Sequence, residues 1–329
     1  TPFGFRKIRD LKVGDIISSA TTGRQQRIIW LHPIEEHDYY RIHFIDGTHY
    51  DCSSGHLWQL HLSRKRTKRK DAEGNVCNER IWSARMIHDW ICRKKSGMYK
   101  GMNLIIPLCA PVQFTVGNRY KQTKPIEPYV LGALLGDGCI TRSVIEANAV
   151  QLTTRDDEIV QKFMQYGYDM GHSQAKAGSR AKSYMIYNRA LVEALCNLKL
   201  SGCDSSNKFI PDQYKLATIE ERKRLIQGIM DTDGYVDERG HISYCTTSRR
   251  LADDVAFIIR SLGGIATVKR NPSGYRDRSG CRVKCNDSYD VYIRTRMNPD
   301  LVSLSRKRCR CRHEYNGGVS ELGKRIIDA

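Results

Sequence analysis

No apolar run in this sequence approaches the roughly 20 residues that a helix needs to cross a bilayer. The pattern of a secretory signal is missing from its start as well. These two absences point to an intracellular, cytoplasmic protein in a reducing compartment, with no membrane partner. A cysteine framework is also lacking. The 12 cysteines are scattered over 329 residues, without the regular spacing of a small secreted domain. Cys139, Cys196 and Cys245 fall in apolar or strand-like runs and read as buried thiols. Cys281, Cys285, Cys309 and Cys311 are spaced C-x3-C and C-x-C, unlike the C-x2-C pairs of common zinc sites, so zinc is the weaker reading there. Negative charge is scarce: 36 Asp and Glu face 54 Lys and Arg, a net charge of +18 with a pI near 9.4. A polyanionic partner follows, nucleic acid ahead of membrane. A merely solvated basic surface is the plainer alternative.

What the sequence does hold is one stretch written twice. Val130-Leu131-Gly132-Ala133-Leu134-Leu135-Gly136-Asp137-Gly138 is echoed by Ile226-Gln227-Gly228-Ile229-Met230-Asp231-Thr232-Asp233-Gly234. Gly132 and Gly136 fall on one side of a helix, as do Gly228 and Thr232. Small residues at this spacing let two helix backbones approach closely. Gly138 and Gly234 suit the left-handed position that ends a helix, leaving Asp137 and Asp233 at the two helix ends. If the helices pack together, two carboxylates meet.

The repeat extends further. Asp137-Gly138 is followed by the strand-like Ala149–Thr154 and a helix from Arg155 to about Gln165, and Asp233-Gly234 by Ile242–Thr247 and a helix from Ser248 to about Ser261. Strands are expected at Ser183–Ile186, Ile265–Arg270 and Asp290–Arg294, and a helix at Arg189–Leu198. Lys208 closes the first copy and Lys307 the second, the latter among Arg306, Arg308 and Arg310. A chain of this length accommodates two domains and a sizeable core.

This repeat resembles the single-chain LAGLIDADG homing endonucleases, and Lys208-Phe209-Ile210-Pro211 is similar to their Lys-x-Ile-Pro block. The opening resembles another family. Thr1-Pro2-Phe3-Gly4, the run Ile8–Asp15, and Ser53-Ser54-Gly55-His56 look like blocks of an intein splicing (Hint) domain. Together the resemblances imply an α+β chain: a pseudo-twofold endonuclease of two αββαββ repeats with saddle-shaped sheets, and an N-terminal all-β Hint portion. The expected domains are 1–61 (Hint), 62–125 (basic DNA-contacting segment and linker), 126–318 (endonuclease, repeats about 126–215 and 216–312) and 319–329 (returning Hint strand). Within Ile8–Ile17 a strand is expected after the Gly14-Asp15 turn, and further strands at Arg27–Leu31 and Tyr39–Ile45, with a turn at Asp46-Gly47 and a short helix capped by Ser83.

The resemblance implies roles. Asp137 and Asp233 would hold Mg²⁺, with Mn²⁺ as a substitute, aided by the backbone carbonyls of Gly136 and Thr232. A carboxylate at the negative end of a helix dipole is unfavourable, and two repel, so a divalent cation with oxygen ligands is the natural counterpart. Lys208, with Lys307 as its counterpart, would neutralise transition-state charge or orient water. Asp231 reads as structural. Double-stranded DNA with a long target would be the partner of a monomeric enzyme. Its candidate contacts are the basic run Arg64, Lys65, Arg66, Lys68, Arg69 and Lys70, then Gln151, Arg155, Tyr184, Tyr187, Tyr244, Arg249, Lys269, Arg270, Tyr275, Arg276, Arg278 and Arg282. His56, with Ser53 in the family's Thr place, would polarise a splice junction. The family carries a nucleophilic Cys or Ser ahead of the Thr-Pro segment and a terminal His-Asn, neither of which is in this sequence, so splicing is not expected of it as given. The rival readings are a nuclease-inactive DNA-binding protein, an RNA maturase, or a purely autocatalytic splicing element.

Overall fold

A computed structural model describes all residues except 21, 34, 46, 65–78, 100, 115–123, 172, 176–177, 179, 273, 277–280, 296 and 312–322. The chain divides into two compact units, a β-sheet unit (12–14, 28–109 and 314–329) and a repeat unit (1–11, 15–27 and 110–313).

The β-sheet unit is a six-stranded antiparallel sheet. Its strands lie in the order His49–Ser53, Tyr39–Phe44, Gly323–Asp328, Met102–Pro107, Leu57–Arg64, Glu79–Ser83. Helix α1 (Ala84–Lys95) covers it. Ser83 caps α1 by accepting from the Met86 amide at 3.3 Å, and Arg93, Lys94 and Lys95 sit in its last turn, where positive charge suits the helix dipole. Ala84, Ile87, Trp90 and Ile91 bury against Ile42, Leu60, Leu104 and Ile326.

The sequence-based boundaries differ from this partition. A break at 61/62 cuts the strand Leu57–Arg64, and residues 79–107 supply two strands and α1 of the same sheet. The dense charge of 64–70 suggested a separate segment, but the apolar residues on either side of it fill one core. The opening residues 1–11 and 15–27 group with the repeat unit instead. The strand expected after the Gly14-Asp15 turn is Ile16–Ser18, paired with Gln25–Arg27, and a short 3-10 turn, Ile8–Asp10, precedes it. Gly14 separates the two at φ +97°, a conformation open to glycine and foreign to a strand. Arg27 is the one residue of the strand expected over Arg27–Leu31 that pairs.

In the repeat unit, α2 (Pro128–Asp137) leads into a four-stranded antiparallel sheet with α3 (Asp157–Gln165) and α4 (Arg189–Asn197), and α5 (Ile219–Thr232) leads into a second with α6 (Arg249–Ser261). Counted along the chain within each sheet, both run first, second, fourth, third: Gly138–Cys139, Ala149–Thr154, Lys182–Tyr187, Ser173–Ala175, and Gly234–Val236, Ile242–Thr246, Ser288–Arg294, Ile265–Asn271, while Gly274–Arg276 and Arg282–Lys284 pair separately. One apolar core joins the two copies. Glu127 caps α2, accepting from the amides of Tyr129 (2.6 Å) and Val130 (3.2 Å). Thr218 and Glu221 form a reciprocal capping box on α5.

The two long helices touch backbone to backbone. A Cβ on Gly132 would lie 2.1 Å from the Leu225 carbonyl oxygen, and one on Gly228 would lie 2.1 Å from that of Tyr129. A Cβ on Gly136 would meet Thr232 Oγ1 at 2.0 Å. Gly138 and Gly234 serve differently from expectation. Gly138 has φ −77°, and Gly234 is not among the positive-φ residues. Each helix runs straight into a strand, and the glycine is required for space: an added Cβ would lie 2.5 Å from the Leu134 oxygen or 2.4 Å from the Met230 oxygen. Of the thiols expected to be buried, Cys196 and Cys245 are exposed and Cys139 is half-buried, because each falls at an outward position of its helix or strand.

Arg222 is fully buried in the repeat unit. It donates to the Ala217 carbonyl at 3.1 Å, to Ser261 Oγ and to the Val112 carbonyl, and its guanidinium lies 4.8 Å from the Phe114 ring centre. Burial pushes its pKa down to about 10. Arg222→Ala leaves a cavity and two unpaired carbonyls, and should destabilise the repeat unit by about 3–5 kcal/mol in denaturant unfolding.

Candidate active site

The α2–α5 crossing brings Asp137 and Asp233 together. Asp137 is the last residue of α2, and Asp233 caps the end of α5. Their carboxyls are close enough to share a hydrogen bond. Solvent reaches both residues, yet surrounding protein crowds the carboxyl groups. That desolvation is the first cause that pushes Asp137 up to about 6, and repulsion from Asp233 is the second. Desolvation likewise raises Asp233. Lys208 and Lys307 oppose both shifts. Solvent screening tempers the effect but keeps its sign. At neutral pH the site therefore holds crowded negative charge that a cation would relieve.

The two lysines have a different occupation from the one read in the sequence. Lys208 is 5% exposed, and its Nζ donates to the carbonyls of Leu134 (3.0 Å), Gly136 (3.0 Å) and Gly138 (2.7 Å) at the end of α2. Lys307, also 5% exposed, donates to Met230 (2.7 Å), Asp231 (2.8 Å) and Thr232 (3.1 Å) at the end of α5. An ammonium has three protons, and all three are taken. Each lysine thus neutralises a helix terminus and acts on the carboxylates through space, without a proton left for water or phosphate. Burial pushes Lys307 down to about 8 and lowers Lys208.

The lysines are cross-braced. Ser248, which caps α6 of the second repeat, donates to the Lys208 carbonyl at 2.6 Å. Arg306 makes a two-pronged ion pair with Asp156, just before α3 of the first repeat, at 2.6 and 2.7 Å. Lys208→Met removes the cap from α2 and strands three carbonyls. It should cost about 2–3 kcal/mol in denaturant unfolding and, by removing a nearby positive charge, raise the carboxyl pKa values further.

Asp231 is 1% exposed and turned away from the site. It accepts from Tyr129 OH (2.9 Å) and from the amides of Ser303 (2.8 Å) and Leu304 (3.1 Å), so it pins the loop that leads to Lys307. A cleft of about 220 Å³ opens beside Asp233, lined by Leu135, Gly136, Ser205, Lys208, Cys245, Thr246 and Thr247. Thr246-Thr247, in sequence only a member of the repeat, thus also has a place at the site. Ser205 carried no signal; its carbonyl accepts from Thr247 Oγ1 at 2.8 Å.

The remaining candidates are dispersed. Gln151, on the middle of its strand, is half-buried, while Arg155 and Lys269 are exposed. Arg270 is exposed but pairs with Asp287 at 2.6 Å. Arg249 lies on α6, not on a sheet, and pairs with Asp253 at 2.8 Å. Tyr187 is exposed, whereas Tyr244 and Tyr184 are buried under their sheets and cannot reach a groove, since each shares a face with a core isoleucine, Ile242 or Ile186. Arg64, Tyr275, Arg276 and Arg282 are described in backbone alone, and Lys65, Arg66, Lys68, Arg69, Lys70 and Arg278 lie outside the described residues. In the β-sheet unit, Ser53 and His56 do converge, on a cavity of about 730 Å³ lined also by His32, Pro33, Glu35, His37, Gly55 and Leu57. Among the described residues no group of three or more His, Cys, Asp or Glu side chains is arranged to hold a metal, which includes the described cysteines of the C-terminal half.

Residues 220–297 match the LAGLIDADG-like domain family. Curated proteins similar to this chain include the replicative DNA helicase DnaB of Mycobacterium intracellulare, 26% identical over 99% of this chain and 51% of that protein. Another is the homothallic switching endonuclease of Saccharomyces cerevisiae, 30% identical over 32% of this chain and 19% of that protein. A DnaB helicase of Nostoc sp. matches at 27% identity over 56% of this chain and 22% of that protein. The chain thus spans about half the length of the first relative and less of the others. Among solved structures, the homing endonuclease I-DmoI in complex with DNA and Ca is similar at 15% identity and a TM-score of 0.38, over 56% of this chain and 96% of that one. The repeated helix and the shared strand order relate the two repeats to each other, and the match to the LAGLIDADG-like domain family falls on the second of them.

Proposed function

We propose that this chain is a site-specific, divalent-metal-dependent double-strand DNA endonuclease of the homing type, joined to a Hint-type splicing portion. The observation that carries this reading is the pair Asp137–Asp233, two carboxyls brought into hydrogen-bond contact at the ends of two packed helices. The donor set fits a hard cation: two carboxylates, and the carbonyls of Gly136 and Thr232, which each keep a second lone pair beside their lysine bond. Asp137, Asp233, Gly136 and Thr232 would hold Mg²⁺, with Mn²⁺ as a substitute. When bound, the cation supplies Lewis-acid stabilisation of the phosphodiester being hydrolysed.

The chain's own residues do the rest. Lys208 and Lys307 hold the helix ends in place and offset the carboxylates' charge. Gln151, Arg155, Lys269 and the net charge of +18 support a duplex lying along the two sheets. The presence of both acids favours an active nuclease over a nuclease-inactive DNA binder or an RNA maturase. The convergence of Ser53 and His56 on one cavity supports the splicing reading of the β-sheet unit.

The relatives named as replicative helicases make an uninterrupted helicase coding sequence the first substrate to try. Incubation of the full chain with long DNA containing it, in Mg²⁺, should yield one discrete double-strand break, and chelation of the metal should abolish it. Unbroken DNA, or cutting indifferent to chelation, would refute the reading.

A further inference from the structure

Helix α1 carries an exposed pair of side chains that the sheet's core does not use. His88 and Cys92 lie one turn apart, and His88 Nε2 sits 3.6 Å from Cys92 Sγ. The other ring nitrogen, Nδ1, faces Asp89 Oδ1 at 3.4 Å. The Tyr40 ring lies 5.0 Å from the imidazole, tilted at 45°, and limits its rotation. Cys92 is exposed, and 36% of the His88 side chain is open to solvent.

We propose that His88 and Cys92 form a two-donor chelate for a thiophilic divalent cation, represented by Zn²⁺. The argument rests on the bite. With Zn–S of about 2.3 Å and Zn–N of about 2.0–2.1 Å, a tetrahedral angle sets sulfur and nitrogen about 3.6 Å apart. The pair already stands at that separation, so binding requires no rearrangement of the helix. The i, i+4 spacing holds both donors on one face. Asp89 is placed to accept from Nδ1–H, which would leave Nε2 with its lone pair free for the metal. A carboxylate behind a ligating imidazole is the usual outer-shell partner. The donor chemistry also separates this site from the acids of the repeat unit: sulfur and imidazole select Zn²⁺, whereas carboxylates and carbonyls select Mg²⁺.

No third His, Cys, Asp or Glu completes a metal cluster among the described residues. Solvent fills the remaining positions, and the site is open and exchangeable. On binding, the thiol proton passes to solvent as sulfur becomes a thiolate ligand.

A plain S–H···N hydrogen bond would give the same contact without any affinity for metal, and the test separates the two. Titration of the metal-free full chain with Co²⁺ should produce a thiolate-to-cobalt charge-transfer absorption that added Zn²⁺ bleaches. Cys92→Ser should lose the band. His88→Ala should weaken Co²⁺ binding at least tenfold, and Asp89→Asn by about tenfold. All three side chains are at the surface, and circular dichroism would verify that the variants are folded. A wild-type chain without the band, a band that persists in Cys92→Ser, or an unchanged affinity in His88→Ala would each overturn the proposal.

Discussion

Asp137→Asn is expected to abolish metal-dependent DNA cleavage while making the metal-free protein more stable at neutral pH. The two effects have one origin. In the folded protein the Asp137 carboxyl is pushed up to about 6, above its unfolded value of roughly 3.9. Between those values the unfolded chain has released its proton and the folded chain has kept it. Stability therefore falls as pH rises through that window and stays lowered above it. Asparagine has no charge to bury, so the variant escapes this loss. Its melting temperature should exceed that of wild type at pH 7–8 without metal, and the gap should close near pH 4. Added Mg²⁺ should raise the wild-type melting temperature and leave the variant's nearly unchanged, because binding stabilises by mass action only where a site exists. Equal melting temperatures for the metal-free pair at pH 7–8 would contradict the crowding of the two acids. A variant that still cuts DNA would remove Asp137 from the metal site.

Gly228→Ala is expected to be among the most damaging single methyls at the described glycines. The added carbon would stand 2.1 Å from the Tyr129 carbonyl oxygen and 2.6 Å from the Ala133 amide nitrogen. Both are backbone atoms within α2, which cannot swing aside as a side-chain tip can. The helices must separate, and their separation pulls the two carboxyls apart. A cost of about 3 kcal/mol, at the upper end for overpacking, is expected in denaturant unfolding, with loss of DNA cleavage. Gly167→Ala is a useful contrast. That glycine has φ +81° with nothing within 4 Å of its absent Cβ, so the substitution strains the turn after α3 but leaves the crossing untouched and should cost about 1 kcal/mol. Should the two variants unfold alike, the close approach of α2 and α5 is not what the small residues secure.

Much of this site was legible because it is periodic. Small residues four apart, an acid at the end and the same order twice over need only helical geometry to be read. The swap of the last two strands in each sheet was not legible, since no local pattern says which strand pairs with which. Tyr244 shows a signal present but misread. Ile242 and Tyr244 alternate on one face, and the first is plainly a core residue, so the tyrosine had to be inside as well. The lysines mark a deeper limit. Position along the chain located Lys208 and Lys307, but their acceptors are backbone carbonyls at the far end of another element, and every residue carries one of those. The β-sheet unit was hardest to delimit. Its sheet joins segments on both sides of the repeat unit, and the charge that dominates residues 64–70 says nothing about pairing partners.

That last arrangement also sets a timetable. The strand Gly323–Asp328 lies between Tyr39–Phe44 and Met102–Pro107, both of which emerge from the ribosome roughly 200 or more residues earlier. At about 5–20 residues per second, the two halves of the sheet wait on the order of 10–60 s with bare edges. The repeat unit, contained within residues up to 313, is complete before they can close. Nascent chains paused ahead of residue 323 should therefore hold a finished repeat unit and an unfinished sheet, the stage at which exposed strand edges make a chain most dependent on chaperones.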